Sequence, residues 1–239
     1  AANKAIVRSG FWLVLFVLAA KLVAAGKEMA VAYRYGTSAT VEGYLFVFNL
    51  LSWPVSLLFS VMSAVFIPRL VALQRDDPEG AVRWQRQVTA WVWLLGTGLG
   101  IGVAVGFPPL LATDWLGLEA QAMESAQAVL PWLAGMVTLG IVAGWHACQL
   151  MSRQRHANTF LEAMPALAIG MAVLAWPAGP DVSPLLWGTL GGFALQALLL
   201  LAVLRMAGAP AGPAWPPGSP MHRAMLGSAG WMLAGQFVM

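Results

Sequence analysis

Residues 10–32 read GFWLVLFVLAAKLVAAGKEMAVA, an apolar run long enough to cross a bilayer as one helix. Lys21 interrupts this run. At 1.5 Å per residue it lies ~16 Å from Gly10, about half of the ~30 Å hydrocarbon core. A charge at that depth costs several kcal/mol unless it meets water or a counter-charge, and such charges usually have a function. The segment therefore predicts a membrane-spanning helix with a cation that faces a polar cavity.

The whole chain has the composition of a membrane protein. It is 59% hydrophobic and 10% charged, with a mean hydropathy of +0.73, whereas soluble proteins carry about 25% charged residues. We predict an all-α, polytopic transmembrane helix bundle with six complete spans and part of a seventh. The spans are expected at roughly 10–33, 42–71, 87–112, 122–150, 157–177 and 184–206, with the seventh opening near 223.

The predicted bundle covers residues 1–206, and a proline-rich cytoplasmic linker covers residues 207–222. Residues 223–239 are expected to begin a seventh helix that the sequence does not complete. We expect the remaining half of the same chain to be needed for activity, and residues 1–239 alone not to transport.

The basic residues of the loops predict the orientation. Of the 13 lysines and arginines, ten fall on one side of the predicted spans, Arg34 alone falls on the other, and Lys21 and Lys27 lie within the first helix. Because positive loop residues remain in the cytoplasm, we expect a cytoplasmic N-terminus. This topology explains the pI of about 9.4 without nucleic acid as a partner.

Four charged residues are candidates for function. Lys21 and Lys27 lie six positions apart, about 120° around a helix, and are the candidate substrate-binding residues. Lys27 either lines the cavity or extends to the outer interface beside Glu28. Glu42 either caps the second helix, where an anion is favourable, or pairs with Lys21 or Lys27. Glu28 and Glu42 are therefore the candidate gating or ion-pairing residues.

Glycines mark candidate helix contacts. Gly98, Gly102 and Gly106 recur every four residues in the third helix, a spacing that lets membrane helices approach closely. Gly188 and Gly192 repeat it in the sixth helix. His146 is expected to be a hydrogen-bonded structural residue rather than a proton relay.

Motifs for catalysis are missing from the sequence. It has no GxxxxGK[ST] phosphate loop, no HExxH zinc motif and no GxSxG nucleophile. We therefore expect no enzymatic activity, no metal and no cofactor.

Several segments resemble one family. AKLVAAGKEMAVAYRYGTSATVEGYLFVFNL (20–50) is similar to the first two helices of the MurJ-like lipid II flippases, members of the MOP flippase superfamily. Their pattern has two basic residues six apart, an acid, an aromatic-glycine pair and a second acid. Here these positions are Lys21, Lys27, Glu28, Tyr35-Gly36 and Glu42. Further similar segments are MSAVFIPRL (62–70), CQLMSRQRHANTFLEAMPAL (148–167) and WGTLGGFALQALLLL (187–201), where Gly191, Gly192 and Gln196 match.

The resemblance implies the N-terminal lobe of a fourteen-helix, alternating-access flippase of the bacterial inner membrane. The cargo would be a polyprenyl-diphosphate-linked oligosaccharide, which is lipid II for peptidoglycan and cell-wall synthesis or a related envelope glycan. Both readings stay open because lysines replace the family's arginines, Glu42 replaces its aspartate, and Val55 stands where it has a further arginine. Two other functions also remain open: a MATE-like, cation-coupled drug or metabolite antiporter, and a non-transporting membrane scaffold.

Overall fold

The structure is a computed structural model that describes residues 2–111, 117–154, 157–177, 179, 181–210 and 212–214. Within those ranges all regular structure is helical. The helices are α1 (Ala2–Tyr35), α2 (Ala39–Asp76), α3 (Pro78–Gly106), α4 (Pro108–Leu111), α5 (Ala120–Met151), α6 (Ala157–Leu161), α7 (Met164–Ala175) and α8 (Ser183–Met206). The all-α prediction is confirmed.

Five segments are long and apolar enough to cross a membrane: Ala39–Asp76, Pro78–Leu111, Ala120–Met151, Asn158–Ala175 and Ser183–Met206. They correspond to the second through sixth predicted spans. The helix α1 is not among them, because Lys21, Lys27 and Glu28 interrupt the part of it whose side chains are described. The chain is therefore a multi-pass membrane protein with five candidate spans in its described part. The predicted seventh helix, residues 223–239, lies outside the described residues.

Local signals in the sequence set the helix ends. Gly36 and Gly208 have φ of +57° and +68°, left-handed values that glycine adopts easily, and each follows the end of a helix. Asp77 accepts a hydrogen bond from the Gly80 amide at 2.8 Å, and Pro78 is the first residue of α3. The long α2 continues through Pro54 and Pro68 to Asp76, beyond the predicted end of the second span at residue 71.

The helix α5 is the centre of the bundle. It packs against α2, α3 and α8, and 61% of its most apolar stretch is buried, compared with 17% for α2. The helix α8 packs against α7, which in turn packs against α1. The order across the bundle is therefore α1, α7, α8, α5 and then α2 with α3. Although α1 and α2 are consecutive in sequence, the contact between them is marginal.

Two sets of contacts define the ends of the bundle. At one end the Gln74 amide donates to Ser152 Oγ at 3.4 Å, and the Ala214 amide donates to the Arg86 carbonyl at 2.9 Å. This second contact also attaches part of the predicted linker to α3. At the other end the Arg34 guanidinium donates to the carbonyl oxygens of Val173 at 2.8 Å and Trp176 at 2.9 Å. Arg34 thus lies at the end opposite to Arg86, as the predicted topology requires.

Within the described residues, the predicted glycines of α3 are not the ones that contact α5. A Cβ at Gly98, Gly102 or Gly106 would meet no described atom within 4 Å. The contact with α5 is instead made at Gly96, whose carbonyl accepts a 2.9 Å hydrogen bond from Thr138, and at Gly100. Both sets repeat every four residues, and α3 is apolar on all sides, so spacing alone does not identify the inward face.

The predicted glycines of α8 also differ in whether they contact another helix. A Cβ at Gly192 would lie 2.7 Å from Pro165 Cα, and one at Gly188 would lie 2.8 Å from Ile169 Cα, so both glycines let α8 approach the backbone of α7. A Cβ at Gly191 would instead meet no described atom within 4 Å. Of the two glycines that the family resemblance singled out in α8, Gly192 is the one that makes a close helix contact within the described residues.

We expect Gly192→Ala to lower the free energy of unfolding by about 1–3 kcal/mol, the usual cost of overpacking. The added methyl group would meet backbone of α7, which cannot move aside as a flexible side chain can. Thermal unfolding in detergent, followed by circular dichroism, measures the effect. Gly191→Ala is the matched control on the same helix and should leave the midpoint unchanged or raise it. Equal midpoints for the two variants would contradict the observed packing.

Candidate functional site

A cavity lies beside α1. Because α1 packs against α6 and α7 and has little contact with α2, space remains between α1 and α7 on one side and α2, α5 and α8 on the other. The cavity has a volume of about 280 Å³. Small residues of α5, Gly140 and Gly144, form its floor and let Val55 and Phe59 of α2 pack closely.

The cavity has a mixed lining. Its polar side chains come from α1, α2, α6, the turn after α6, and α8, and they are Lys27, Ser56, Asn158, Glu162 and Gln196. Its aromatic side chains are Phe48, Phe59 and Phe193. Polar groups that converge from several helices onto an apolar cavity are typical of a small-molecule site.

Lys27 connects this cavity to the surface of α1. Its side chain is 13% exposed, and its Nζ lies 2.6 Å from Glu28 Oε1 and 5.5 Å from the centre of the Phe48 ring. A Cβ at Gly170 would lie 3.6 Å from Lys27 Cα, so α7 packs directly on this residue. Lys27 thus lines the cavity while its ammonium pairs with the exposed Glu28, and its expected role in substrate binding stays a prediction. Attraction to the Phe48 ring adds to the stabilisation of this cation.

Lys21 lies elsewhere on α1. Its side chain is exposed, and it is not part of the cavity lining. The 120° between the two lysines separates them, because the face of α1 that contains Lys27 also contains the buried Ala30 and Val31. The structure thus does not bring Lys21 and Lys27 into one cavity within the described part of the lobe.

Glu42 occupies the first turn of α2 and is exposed. It forms no ion pair with Lys21 or Lys27 within the ranges that the structure describes. A carboxylate in the first turn interacts favourably with the helix dipole. The first-turn position of Glu42 therefore suits this dipole interaction, and the gating or pairing role expected of it stays a prediction.

A polar stripe on α2 was missed by the sequence interpretation. Asn49, Ser56 and Ser60 are all exposed, at spacings of seven and four residues that place them on one helix face. The hydroxyl of Ser56 also reaches the cavity. The spacing of polar residues within an apolar run was the available signal. A face of this kind is costly against lipid tails and favourable against water or another polar surface.

Glu162, Asn158 and Gln196 were also missed as site residues. Glu162 and Asn158 lie in or just after the short helix α6, between two spans, and Gln196 lies in the middle of α8. Sequence reasoning had recorded Gln196 only as a match to the resembling family. Their shared cavity depends on how α6 and α7 fold against α8, which no local pattern encodes.

Other buried polar side chains join helices. The Trp145 indole donates to Thr89 at 2.9 Å, and the Tyr44 and Thr189 hydroxyls lie 2.7 Å apart. His146 is buried on α5, and its Nδ1 has no hydrogen-bond partner among the described residues, so the structural role expected of this histidine stays a prediction.

At the other end of α1, Arg34 caps α7. Besides the Val173 and Trp176 carbonyls, it donates to the Pro177 carbonyl at 2.6 Å, and these are carbonyls that a helix end leaves unpaired. Asp181 accepts hydrogen bonds from the Ser183 amide and hydroxyl, which lower the pKa of its carboxyl group. These contacts fix the loop between α7 and α8 to α1.

Comparison with protein-family models and with curated proteins finds no match for this chain. Among the described residues, no group of three or more histidine, cysteine, aspartate or glutamate side chains lies together as a metal site would require. The candidate site is therefore defined by its own geometry, a polar cavity with a lysine among membrane-spanning helices.

Proposed function

We propose that this chain is the N-terminal lobe of a flippase for a polyprenyl-diphosphate-linked oligosaccharide, working by alternating access. The observation that carries the proposal is Lys27, an ammonium group in a cavity between helices apolar enough to span a membrane. Neither a diphosphate nor a glycan can enter hydrocarbon unaided. A cation at this depth supplies the counter-charge that the diphosphate needs.

Two further features of the described surface support the same function. The exposed Lys21 of α1 and the polar stripe of α2 suit a hydrated path better than a lipid-facing wall. In this proposal the path runs between the described lobe and a second bundle, and transport needs neither catalysis nor a cofactor. The polyprenyl tail remains in the bilayer while the head group crosses.

The proposed location is the bacterial inner membrane with the N-terminus in the cytoplasm. Support comes from the arginines, since Arg75, Arg86 and Arg153 lie towards one end of the bundle and Arg34 lies at the other. Cysteines introduced at Arg75 and Asp181 should react with impermeant thiol reagents from opposite sides. Reaction from the same side would overturn this topology.

The direct test is transport in vesicles by the purified full-length protein, which includes the second bundle. We expect a fluorescent polyprenyl-diphosphate oligosaccharide to move between leaflets at a rate well above that of protein-free vesicles. A polyprenyl alcohol without the diphosphate should gain nothing from the protein, because it offers no anion to the lysines. If both lipids behave as in protein-free vesicles, the flippase proposal fails.

A MATE-like, cation-coupled antiporter is the second candidate, and Glu162 in the cavity is the observation in its favour. A carboxylate can bind a proton or a cationic substrate, as such a transporter requires. Cation-driven uptake of a cationic dye, lost in Glu162→Gln, would favour this function over the flippase. A non-transporting scaffold has no use for a polar cavity, and substitutions of Lys27 would leave its activity unchanged.

A further inference from the structure

The two ends of the cavity beside α1 differ in charge. Lys27 lies against Gly170 of α7, and Glu162 lies eight residues earlier in the chain. At 1.5 Å per helical residue, Gly170 lies about 9 Å along α7 from Met164, its first residue, and Glu162 lies in the turn before that residue. The cavity thus has a cationic end and an anionic end, with amide and hydroxyl groups as its other polar side chains.

The other polar side chains of the cavity have no partner within the described residues. The side chains of Ser56, Asn158, Glu162 and Gln196 make no hydrogen bond there, although the Glu162 backbone amide donates to the Asn158 carbonyl at 2.9 Å. They belong to three different parts of the fold and share one cavity. Ser56 and Glu162 are exposed, and Asn158 and Gln196 are half-buried, so these side chains are free to bond to water or to a ligand that enters the cavity.

The aromatic residues narrow the class of ligand. Phe48 and Phe59 come from α2 and Phe193 comes from α8, so rings approach the cavity from two helices. Rings of this kind pack against the apolar C–H face of a sugar, while amide and carboxylate groups bond to its hydroxyls. A simple anion would pair with Lys27 but would be repelled by Glu162. A ligand with an anionic group at one end and neutral hydroxyl groups at the other would pair with Lys27 and hydrogen-bond to Glu162.

The geometry points to a sugar-phosphate site in this cavity, with the phosphate at Lys27 and the sugar between Gln196, Asn158 and Glu162. The inference rests on the proposed flippase function, since this ligand is the phosphate and first sugar of the proposed cargo. The site lies inside the lobe, between α1 with α7 and α2 with α5 and α8. The volume of about 280 Å³ is close to the lower end of the ~300–1,000 Å³ range of ligand pockets, which suits one sugar unit.

The test uses soluble probes and the purified protein. Isothermal titration calorimetry would compare glucose 1-phosphate, N-acetylglucosamine 1-phosphate, inorganic phosphate and an amino acid. We expect a sugar phosphate to bind at least tenfold more tightly than inorganic phosphate and the amino acid not to bind. Binding of the amino acid alone, or equal affinity for inorganic phosphate and both sugar phosphates, would overturn the sugar site.

Two variants then locate the site. Gln196→Leu should weaken sugar-phosphate binding at least tenfold and leave phosphate binding unchanged, because only the sugar contact is lost. Gln127→Leu is the matched control, since Gln127 is exposed on α5 and lies outside the cavity. Ala166→Leu removes no polar group but fills the cavity, so it should abolish binding of the sugar phosphates. Thermal unfolding of each variant separates loss of the site from loss of the fold.

The outcomes separate this inference from the proposed function. In one outcome the native protein flips the lipid-linked oligosaccharide, and Gln196→Leu and Ala166→Leu both flip it and bind sugar phosphate as well as the control Gln127→Leu does. The cavity site is then wrong, and the flippase proposal stands. If sugar phosphates bind and both variants lose that binding while no lipid-linked cargo moves, the site stands and the flippase proposal fails.

Discussion

Lys27→Ala is expected to slow flipping by at least about thirtyfold without affecting insertion or folding. Lys27 is the cation of the cavity, and its side chain is largely buried there. Removing one partner of a buried charge contact costs about 2–5 kcal/mol, and 1.4 kcal/mol corresponds to a factor of ten. The measurement is the initial rate of head-group translocation in vesicles with matched amounts of protein.

Folding should survive this change because, within the described residues, the ion pair that Lys27 forms is the one with Glu28, which is 60% exposed. Exposed pairs contribute little to stability. Lys27→Met keeps most of the aliphatic chain and should be as inactive as Lys27→Ala, whereas Lys27→Arg should retain part of the rate because the charge remains.

Met29→Ala is the matched control, since Met29 is 73% exposed on the same helix and outside the cavity. A normal rate in Lys27→Met would mean that the cavity charge has no part in transport.

The positions of the two lysines illustrate what the sequence could predict. The depth and charge of Lys21 and Lys27 are local properties, so the sequence identified both as unusual. Which of them faces a cavity depends on the helix that packs against α1. That helix is α7, about 140 residues away in sequence, as the Arg34 contacts with Val173 and Trp176 demonstrate. From the sequence, Lys21 was expected to face the cavity and Lys27 either to line it or to extend to the outer interface; in the structure Lys27 lines the cavity and Lys21 does not.

The ends of the helices could be predicted from the sequence more easily than the faces that the helices bury. Glycine after α1 and α8, and Asp77-Pro78 before α3, are local signals that fixed helix ends. The inward face of α3 has no such signal, because Trp93, Leu95 and Ile101 are exposed although they are as apolar as a core. In a membrane, hydrophobicity does not distinguish lipid from protein, which explains why the glycine register was mistaken.

The cavity residues required the tertiary structure. Asn158, Glu162 and Gln196 are ordinary polar residues in sequence, and only the folding of α6 and α7 against α8 places them opposite Lys27. The stripe formed by Asn49, Ser56 and Ser60 could have been predicted from the sequence, because its spacing is regular within one helix. The sequence therefore predicted the class of protein and the helix with the key charges, but not the side chains that share a cavity with them.

Lys21→Ala is expected to abolish flipping although Lys21 lies outside the cavity. Its side chain is exposed on the lobe surface, and exposure to lipid at its depth would cost at least ~2.5 kcal/mol. We infer that this face of α1 meets water and the second bundle, where Lys21 attracts the diphosphate before or after its contact with Lys27. Lys21→Arg should retain part of the activity because the charge survives.

The orientation of Lys21 can be measured independently of transport. In Lys21→Cys, the new thiol should react with a charged, water-soluble thiol reagent. Ile101→Cys should not, because Ile101 lies on the exposed apolar face of α3 that we assign to lipid. The native Cys148 is fully buried and should not compete for the reagent. If position 21 is as unreactive as position 101, and Lys21→Ala flips cargo at the normal rate, then Lys21 has no part in the path and the α1 surface faces lipid.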